Sequence, residues 1–197
     1  MVFRARRGES VPDLVLREIS ASDKRMLEQI GRLRVRAWAT EVPEVSRTAV
    51  WLDEADATAR HWIVVLDSVL VGSGRMSIHA TLADVPDAGE YEGVFPVPPP
   101  TPVASLNRLV VAPEARGLGL SRRLDLARLE AAEDAGCKSV VGATSSGHRR
   151  IEQLESLGFV VIGDRCQVTI SPVGLRPRPG KVLLYLVPEF APKGGRE

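Results

Sequence analysis

The sequence predicts an α/β sandwich on a mixed sheet. Strand-like apolar runs alternate with helical ones, and from Val103 to Ala143 they follow the order strand, turn, helix, strand. Asp67-Ser68 separates two strand-like runs at hairpin spacing, so the sheet is mixed rather than wholly parallel.

Leu14 to Ile19 alternates as a first strand. Ser20 to Ala39 reads as helical. Ser22, Lys24 and Arg25 open it, and Met26, Ile30, Leu33 and Ala37 recur at helical spacing. Pro43 breaks the pattern, and Val45 to Ala59 is expected to hold a second, short helix. His61 to Leu66 is a buried-type strand, and Val69 to Ala80 returns as a longer one. From Asp84 to Pro102, prolines stand at 86, 96, 98, 99, 100 and 102. Proline lacks the amide donor and fixes φ, which excludes a regular helix or a central strand. The segment reads as a polyproline-like surface loop or as a cover over a substrate, since long loops in compact domains are often functional. Val103 to Val111 is a strand and Pro113 to Gly119 a turn. Leu120 to Ala135 is a helix with Leu120, Leu124, Ala127 and Ala131 on one stripe, ended by Gly136. Ser139 to Ala143 is a strand, His148 to Leu157 a helix stopped at Gly158, and Phe159 to Gly163 a strand. Cys166 to Gly180 is expected as an irregular connection before a last strand, Lys181 to Val187. The chain thus divides into a flexible N-terminus (1–12), one domain (13–190) with a proline-rich insertion at 84–102, and a C-terminal tail (191–197).

Charge and composition narrow the function classes. A formal net charge of +1 lacks the basic excess of proteins that coat phosphate backbones, so no nucleic-acid partner is expected. Cys137 and Cys166 match no metal-ligand spacing, so neither a zinc site nor a disulfide framework is expected, and a reducing cytoplasm is. Arg4, Arg6 and Arg7 are followed by no apolar run, which excludes a secretory signal and leaves a solvated terminus. No stretch of about 18 apolar residues exists, so no membrane span is expected. Leu126 and Leu129 lie off the main helical stripe and suggest a further packing surface or a homodimer.

The segment from Val111 to Ser121 joins a buried-type strand to a helix. Helix N-termini present unpaired amides and a partial positive charge. Gly117 and Gly119 carry no side chains to keep a phosphate from the backbone, and Arg116 with Arg122 or Arg123 can add charge-assisted contacts. No Gly-Lys-Ser/Thr follows, so this is not a Walker A loop, and the third glycine of the dinucleotide fingerprint is missing. On chemistry alone the segment is an anion site at a helix start or a tight turn.

These residues resemble a known family. Val111-x-Pro113-x-x-Arg116-Gly117-x-Gly119 is similar to the pyrophosphate loop of the GNAT N-acyltransferases, with Arg116, Gly119 and Ser121 on the pattern and Ser121 replacing the usual Gly or Ala. The resemblance implies a mixed, mostly antiparallel sheet of about six to seven strands flanked by about four helices. It implies that the amides of Gly117, Leu118, Gly119, Leu120 and Ser121 hold the pyrophosphate of acetyl-CoA or another acyl-CoA, with Arg116 and Arg122 beside it. It also implies that Leu109, Val110 and Val111 bind the pantetheine arm as a strand would, and that the Val110 amide receives the oxyanion. Leu157-Gly158-Phe159 matches a further signature of the family. Asp53, Asp56, His61, Arg75, Asn107 and Arg108 resemble the pattern of a branch containing acyl-homoserine-lactone and N-acyl amino acid synthases, some fed by acyl carrier protein. In that branch such acids pair with arginines beside the acyl cleft, which makes Asp53, Asp56, Arg75 and Arg108 candidates for the cleft or for a structural ion-pair set. The branch's strand-four glutamate would fall at Ser105.

The implied reaction is direct attack of a small-molecule amine on a thioester, which requires a base because free amines are mostly protonated at neutral pH. Glu41 and Glu44 stand where the family contacts the acceptor and are candidate bases; His79, Glu90, Glu92 and His148 are others. Trp38 and Trp51 flank the same region, and Arg176 or Arg178 can receive an acceptor carboxylate. The family's usual tyrosine acid falls at Leu154 and its asparagine at Gly147, leaving Tyr185, water or unassisted thiolate departure. The alternatives are an acyl-CoA-binding module without turnover and a carrier-protein-dependent synthase.

Overall fold

Asp67 and Ser68 both take left-handed φ, 48° and 67°, the backbone of a two-residue hairpin whose twist matches that of its strands. They join β2 (Arg60–Leu66) to β3 (Val69–His79). Asp67 also ties the turn to the start of β1 (Leu14–Ile19): its amide donates to the Asp13 carbonyl and its carboxylate accepts from the Asp13 amide. The computed structural model describes residues 13–39, 43–86, 88–144, 147–170 and 174–187. The expectations for 1–12, 191–197 and Glu41 lie outside these residues, as do those for the side chains of Glu44, Cys166, Arg176 and Arg178.

Among the described residues seven strands form one sheet in the order β1-β2-β3-β4-β5-β7-β6. The remaining strands are β4 (Val103–Val111), β5 (Ser139–Thr144), β6 (Val160–Ile170) and β7 (Gly174–Leu186). Only β4 and β5 pair in parallel, through the crossover helix α2 (Leu120–Asp134); every other neighbour is antiparallel. The helices α1 (Lys24–Trp38) and α2 cover opposite faces. On β3, Arg75 turns to partners from the α1 side, while neighbouring Gly74 faces Arg128 of α2, and adjacent strand residues point opposite ways.

Helix α1 starts one residue later than Ser22 would set it, because the Asp23 carboxylate accepts from the Met26 amide at 2.9 Å. Its buried stripe is Leu27, Ile30, Leu33 and Ala37, joined by Gly31 and Arg34. A Cβ at Gly31 would overlap Val50 Cγ1, and the Gly31 carbonyl accepts from Trp51. This docking of an extended 50–52 segment is why the expected second helix in Val45 to Ala59 does not form. Two 3-10 turns, Pro43–Arg47 and Glu54–Ala57, flank it instead, so among the described residues three α-helices are present rather than about four. The third, α3 (His148–Glu155), is followed by Gly158 at φ 93°.

One expectation is refined and another corrected. The proline-rich segment packs down over its first half, while residues 96–102 stay mostly exposed and without regular structure. Tyr91 and Val85 are buried with Val103, Val141 and Leu183, and Phe95 stacks edge-on against Tyr185 at 5.1 Å. The expected irregular connection over Cys166 to Gly180 is instead the far part of a long β6–β7 hairpin. Pro177 and Pro179 are tolerated there because β5 pairs only with Val182–Leu186 of β7, so among the described residues the arm beyond has one edge without a strand to supply.

The main core lies between sheet and helices around Leu33, Met76, Leu120, Leu124, Val140 and Leu184. Each such fully buried aliphatic side chain contributes roughly 1.5–3 kcal/mol. Leu129 packs against this core, whereas Leu126 stays exposed. Among the described residues no helix is long and apolar enough to cross a membrane, and no cluster of potential metal ligands occurs.

Candidate functional site

Pairing between β4 and β5 stops at Leu106 and Gly142, although both strands continue. Past that point they part, and a cleft of about 1150 Å³ opens between them. The opening coincides with a bulge. Ser73 pairs with Val110 and Arg75 with Asn107, so Arg108 and Leu109 together oppose Gly74 alone, and Arg108 has φ 52°. A bulge bends its strand, which carries the end of β4 away from β5.

At the outer end of the cleft, Gly117 and Gly119 take φ 86° and 72°. A Cβ at either would meet nothing within 4 Å, so the bend is open. The Ala115 and Arg116 amides are used inside the turn, by the Ala112 and Pro113 carbonyls. Among the described residues, the amides from Gly117 to Arg122 have no protein acceptor, and the next bond runs from Arg123 to the Gly119 carbonyl. Gly117, Gly119, Leu120 and Ser121 line the cleft, whereas the Leu118 and Arg122 side chains point to solvent. Arg116 donates to the Ala37 carbonyl at 3.0 Å, bridging the loop to the end of α1, and Ser121 Oγ bonds Gln153 at 3.1 Å. The segment is therefore a row of free donors at a helix start, the requirement for holding a diphosphate.

The family resemblance implies Val110 as oxyanion donor, an expectation on which the strand register bears. The Ala112 amide donates to Val71 at 2.8 Å, and ladder bonds alternate along a strand, so Val110 also turns its amide toward β3. The amides out of phase with these, on Val111 and at the bulge on Leu109, face the parted strands.

The four charged residues of the second resemblance do come together, with a fifth that sequence reading missed. Arg34 of α1 forms a bidentate pair with Asp56 at 2.7 and 2.9 Å. Asp56 also takes Arg75 at 3.0 Å and the Asp53 amide at 2.9 Å. Arg75 bonds Asp53, which in turn accepts from Nε and Nη2 of Arg108 at 3.0 and 2.7 Å. Arg34, Asp56 and Arg75 are buried; Arg108, at the mouth, stacks over the Trp51 ring at 4.9 Å, and Trp38 meets Trp51 edge-on. Burial pushes the Asp56 carboxyl up, but the hydrogen bonds and charge of Arg34 and Arg75 outweigh it and hold the group well below the carboxylate range. Asp53 is shifted down by the same contest, with Arg75 and Arg108 winning over burial. His61 is fully buried with Nε2 at 3.0 Å from the Asp56 carbonyl, and burial keeps its ring neutral.

A second buried group, unforeseen from sequence, sits behind the bulge. Arg128 of α2 donates to Asp125 at 2.7 Å and to the Leu124 carbonyl at 3.1 Å. It also reaches the Arg75 and Asn107 carbonyls at 3.0 and 3.4 Å, filling the gap the bulge leaves in the ladder. Asp125 further accepts from Arg150 and Gln153. The signal for both groups was available: Arg34 lies four residues after Ile30, and Arg128 four after Leu124, each a charge on an apolar stripe. A Cβ at Gly74 would stand 3.0 Å from Arg128 Cζ and Nε, a guanidinium that four bonds hold in place. Gly74→Ala is therefore expected to cost about 1–3 kcal/mol through overpacking, read as a lowered urea midpoint.

The remaining candidates separate. Glu90 and Tyr91 line the cleft. His148 is exposed and pairs with Glu152 on the surface, and Glu92 is exposed. Tyr185 lies in the cluster under the proline-rich segment and does not line the cleft, while the buried Leu154 does.

Residues 27–159 match the family model described as the acetyltransferase (GNAT) family. No curated protein matches the chain by sequence. Among solved structures, the ribosomal-protein-S18-alanine N-acetyltransferase of Escherichia coli aligns at TM-score 0.59 and 16% identity, covering 94% of this chain and 100% of that one. The CoA-dependent acyl-homoserine lactone synthase BjaI, solved with SAM and isopentyl-CoA, gives 0.61 and 18% over 89% and 83%. The Salmonella typhimurium protein yncA, solved with its cofactor acetyl-CoA, gives 0.57 and 16% over 93% and 99%. At these identities the likeness shows the fold.

Proposed function

The chain belongs to the acetyltransferase (GNAT) family, and on that premise we propose that it moves an acyl group, most simply acetyl, from acyl-CoA to a primary amine of a small molecule. The observation that carries this reading is the row of unpartnered amides from Gly117 to Arg122 at the outer end of a cleft that runs to the β4 bulge. A diphosphate at the first and a thioester at the second fit one coenzyme lying along the parted strands. The Val111 amide would pair with the pantetheine arm. The Leu109 amide would receive the oxyanion formed when the amine attacks. No tyrosine stands at Leu154, and a thiol with a pKa of about 8.5 can leave without an acid.

Acetyl-CoA at a hundredfold excess over its Kd should stabilise the protein by about 2.7 kcal/mol, read as a raised melting temperature. Thiol release should follow when a panel of amino acids, amino sugars and aminoglycosides is added. A folded protein that acetyl-CoA does not stabilise would remove the coenzyme site. Stabilisation without transfer to any amine would instead favour an acyl-CoA-binding module, the reading that Leu154 motivates.

The chain of ion pairs from Arg34 to Arg108 supports a second reading, in which longer acyl chains, delivered on coenzyme A or on a carrier protein, are the donors. Donor competition separates the two: long-chain donors should outrun acetyl-CoA only under the second.

A further inference from the structure

The reaction proposed above needs a proton acceptor, and the carboxylates nearest the bulge are poorly suited. Asp53 and Asp125 line the cleft, but each is committed to two arginines. A different pair stands at the apex where β4 and β5 part. Ser105 lines the cleft one residue before Leu106, the last β4 residue paired to β5, and its hydroxyl lies 2.9 Å from His79 Nε2. We propose that Ser105 and His79 form a proton relay serving the acceptor amine, an inference that rests on the transferase reading of the same cleft.

The hydrogen-bond directions favour this task. Arginine has no acceptor, so Arg75 Nε at 2.6 Å fixes Asn107 with its oxygen toward Arg75 and its NH₂ toward Ser105. Asn107 then donates to Ser105 Oγ at 3.3 Å, leaving that oxygen one further lone pair for an incoming N–H and its own hydrogen for His79. On the imidazole, Nε2 faces the Ser105 hydroxyl at 2.9 Å, and the relay uses the tautomer whose lone pair is on that nitrogen. Partial burial moves the imidazole below its usual pKa, against the Asp84 backbone and carboxylate, so the ring is neutral at pH 7. Among the described residues, Asp84 is the charged group set against it.

The step balances. The neutral amine attacks the thioester carbon, forming the C–N bond. The nitrogen's proton passes to Ser105 Oγ as the serine proton passes to His79 Nε2. The C–S bond then breaks, the thiolate takes the electron pair, and the imidazolium returns its proton to the thiolate or to water. Ser105 touches the amine and is the catalytic residue; His79 acts through it and is a positioning and proton-storing residue.

The test compares wild type with His79→Gln, Ser105→Ala, the double variant and Glu90→Gln. The acceptor is whichever amine of the panel wild type acetylates fastest. His79→Gln keeps a partner for Ser105 but cannot take a proton. It should lower kcat by about 100-fold or more, with the KM for acetyl-CoA and the stabilisation by acetyl-CoA unchanged. The lower ascending limb of kcat/KM against pH, set by an imidazole below about 6.5, should vanish and leave the amine's own limb. The double variant should fall no further than the worse single one, as members of one relay do. Unchanged kcat and an intact lower limb in His79→Gln would overturn the relay, as would the loss of that limb in Glu90→Gln alone. A wild type that binds acetyl-CoA but transfers nothing would overturn both the relay and the transferase reading. An active wild type with an unaffected His79→Gln would overturn the relay only.

Discussion

Asp56→Ala will lower folding stability by about 3–5 kcal/mol, because it leaves buried guanidinium groups without their carboxylate. In a domain of this size that is a fall in melting temperature on the order of 10 °C. The residue accepts from Arg34 twice, from Arg75 and from the Asp53 amide, and it and both arginines are buried. Asp53→Asn will cost less, since Asp53 and Arg108 are partly exposed and solvent can replace part of what is lost. Replacing Arg34 by Met together with Asp56 by Leu should recover much of the loss, because an apolar pair of similar volume needs no partner. A melting temperature for Asp56→Ala within about 2 °C of wild type would mean that these contacts do not hold the folded state. Acid should act through the same groups. His61 and His79 sit below their usual pKa, so the unfolded chain binds protons first as pH falls through about 6.5, and stability declines from there. Asp53 and Asp56 are depressed as well, so their contribution persists down to the ordinary carboxylate pKa of about 4 and is lost below it.

The elements legible in the sequence were those whose signals are local. Asp67-Ser68 announces its hairpin because few residue pairs tolerate left-handed φ, and Gly117 and Gly119 announce an open bend for the same reason. The stripe of Leu120, Leu124 and Ala131 is a helical period. What escaped was set by contacts across the chain. Nothing in residues 45 to 59 says that Gly31 will receive Trp51 and leave two short turns where a helix was expected. Pro177 and Pro179 argue against a strand until the missing neighbour on that edge of β7 is known. The β4 bulge has no local marker, since Arg108 is neither glycine nor asparagine. It is held from behind by Arg128, about 20 residues on along the chain. The His79–Ser105 contact is diagonal across two strands, and only the register of β3 on β4 brings it about.

Gly119→Ala should weaken acetyl-CoA binding by roughly 100-fold or more while costing the free protein only about 1–2 kcal/mol. The two effects separate because of where the missing Cβ would lie. A left-handed residue with a side chain is strained by about that much, yet nothing within 4 Å of the position would clash in the empty protein. In the proposed complex the same methyl would occupy the seat of the diphosphate. It would push the anion off several amides, and each charge-assisted bond lost is worth about 1.5–3 kcal/mol. Two of them exceed the roughly 2.8 kcal/mol of a hundredfold change. Leu118→Ala is the control: its side chain is exposed and its amide is retained, so affinity should hold. Isothermal titration of acetyl-CoA into the three proteins, with urea unfolding of each, reads both quantities. If Gly119→Ala bound as tightly as wild type, the free amides of this bend would be serving something other than a phosphate, and the coenzyme would have no anchor at the mouth of the parted strands.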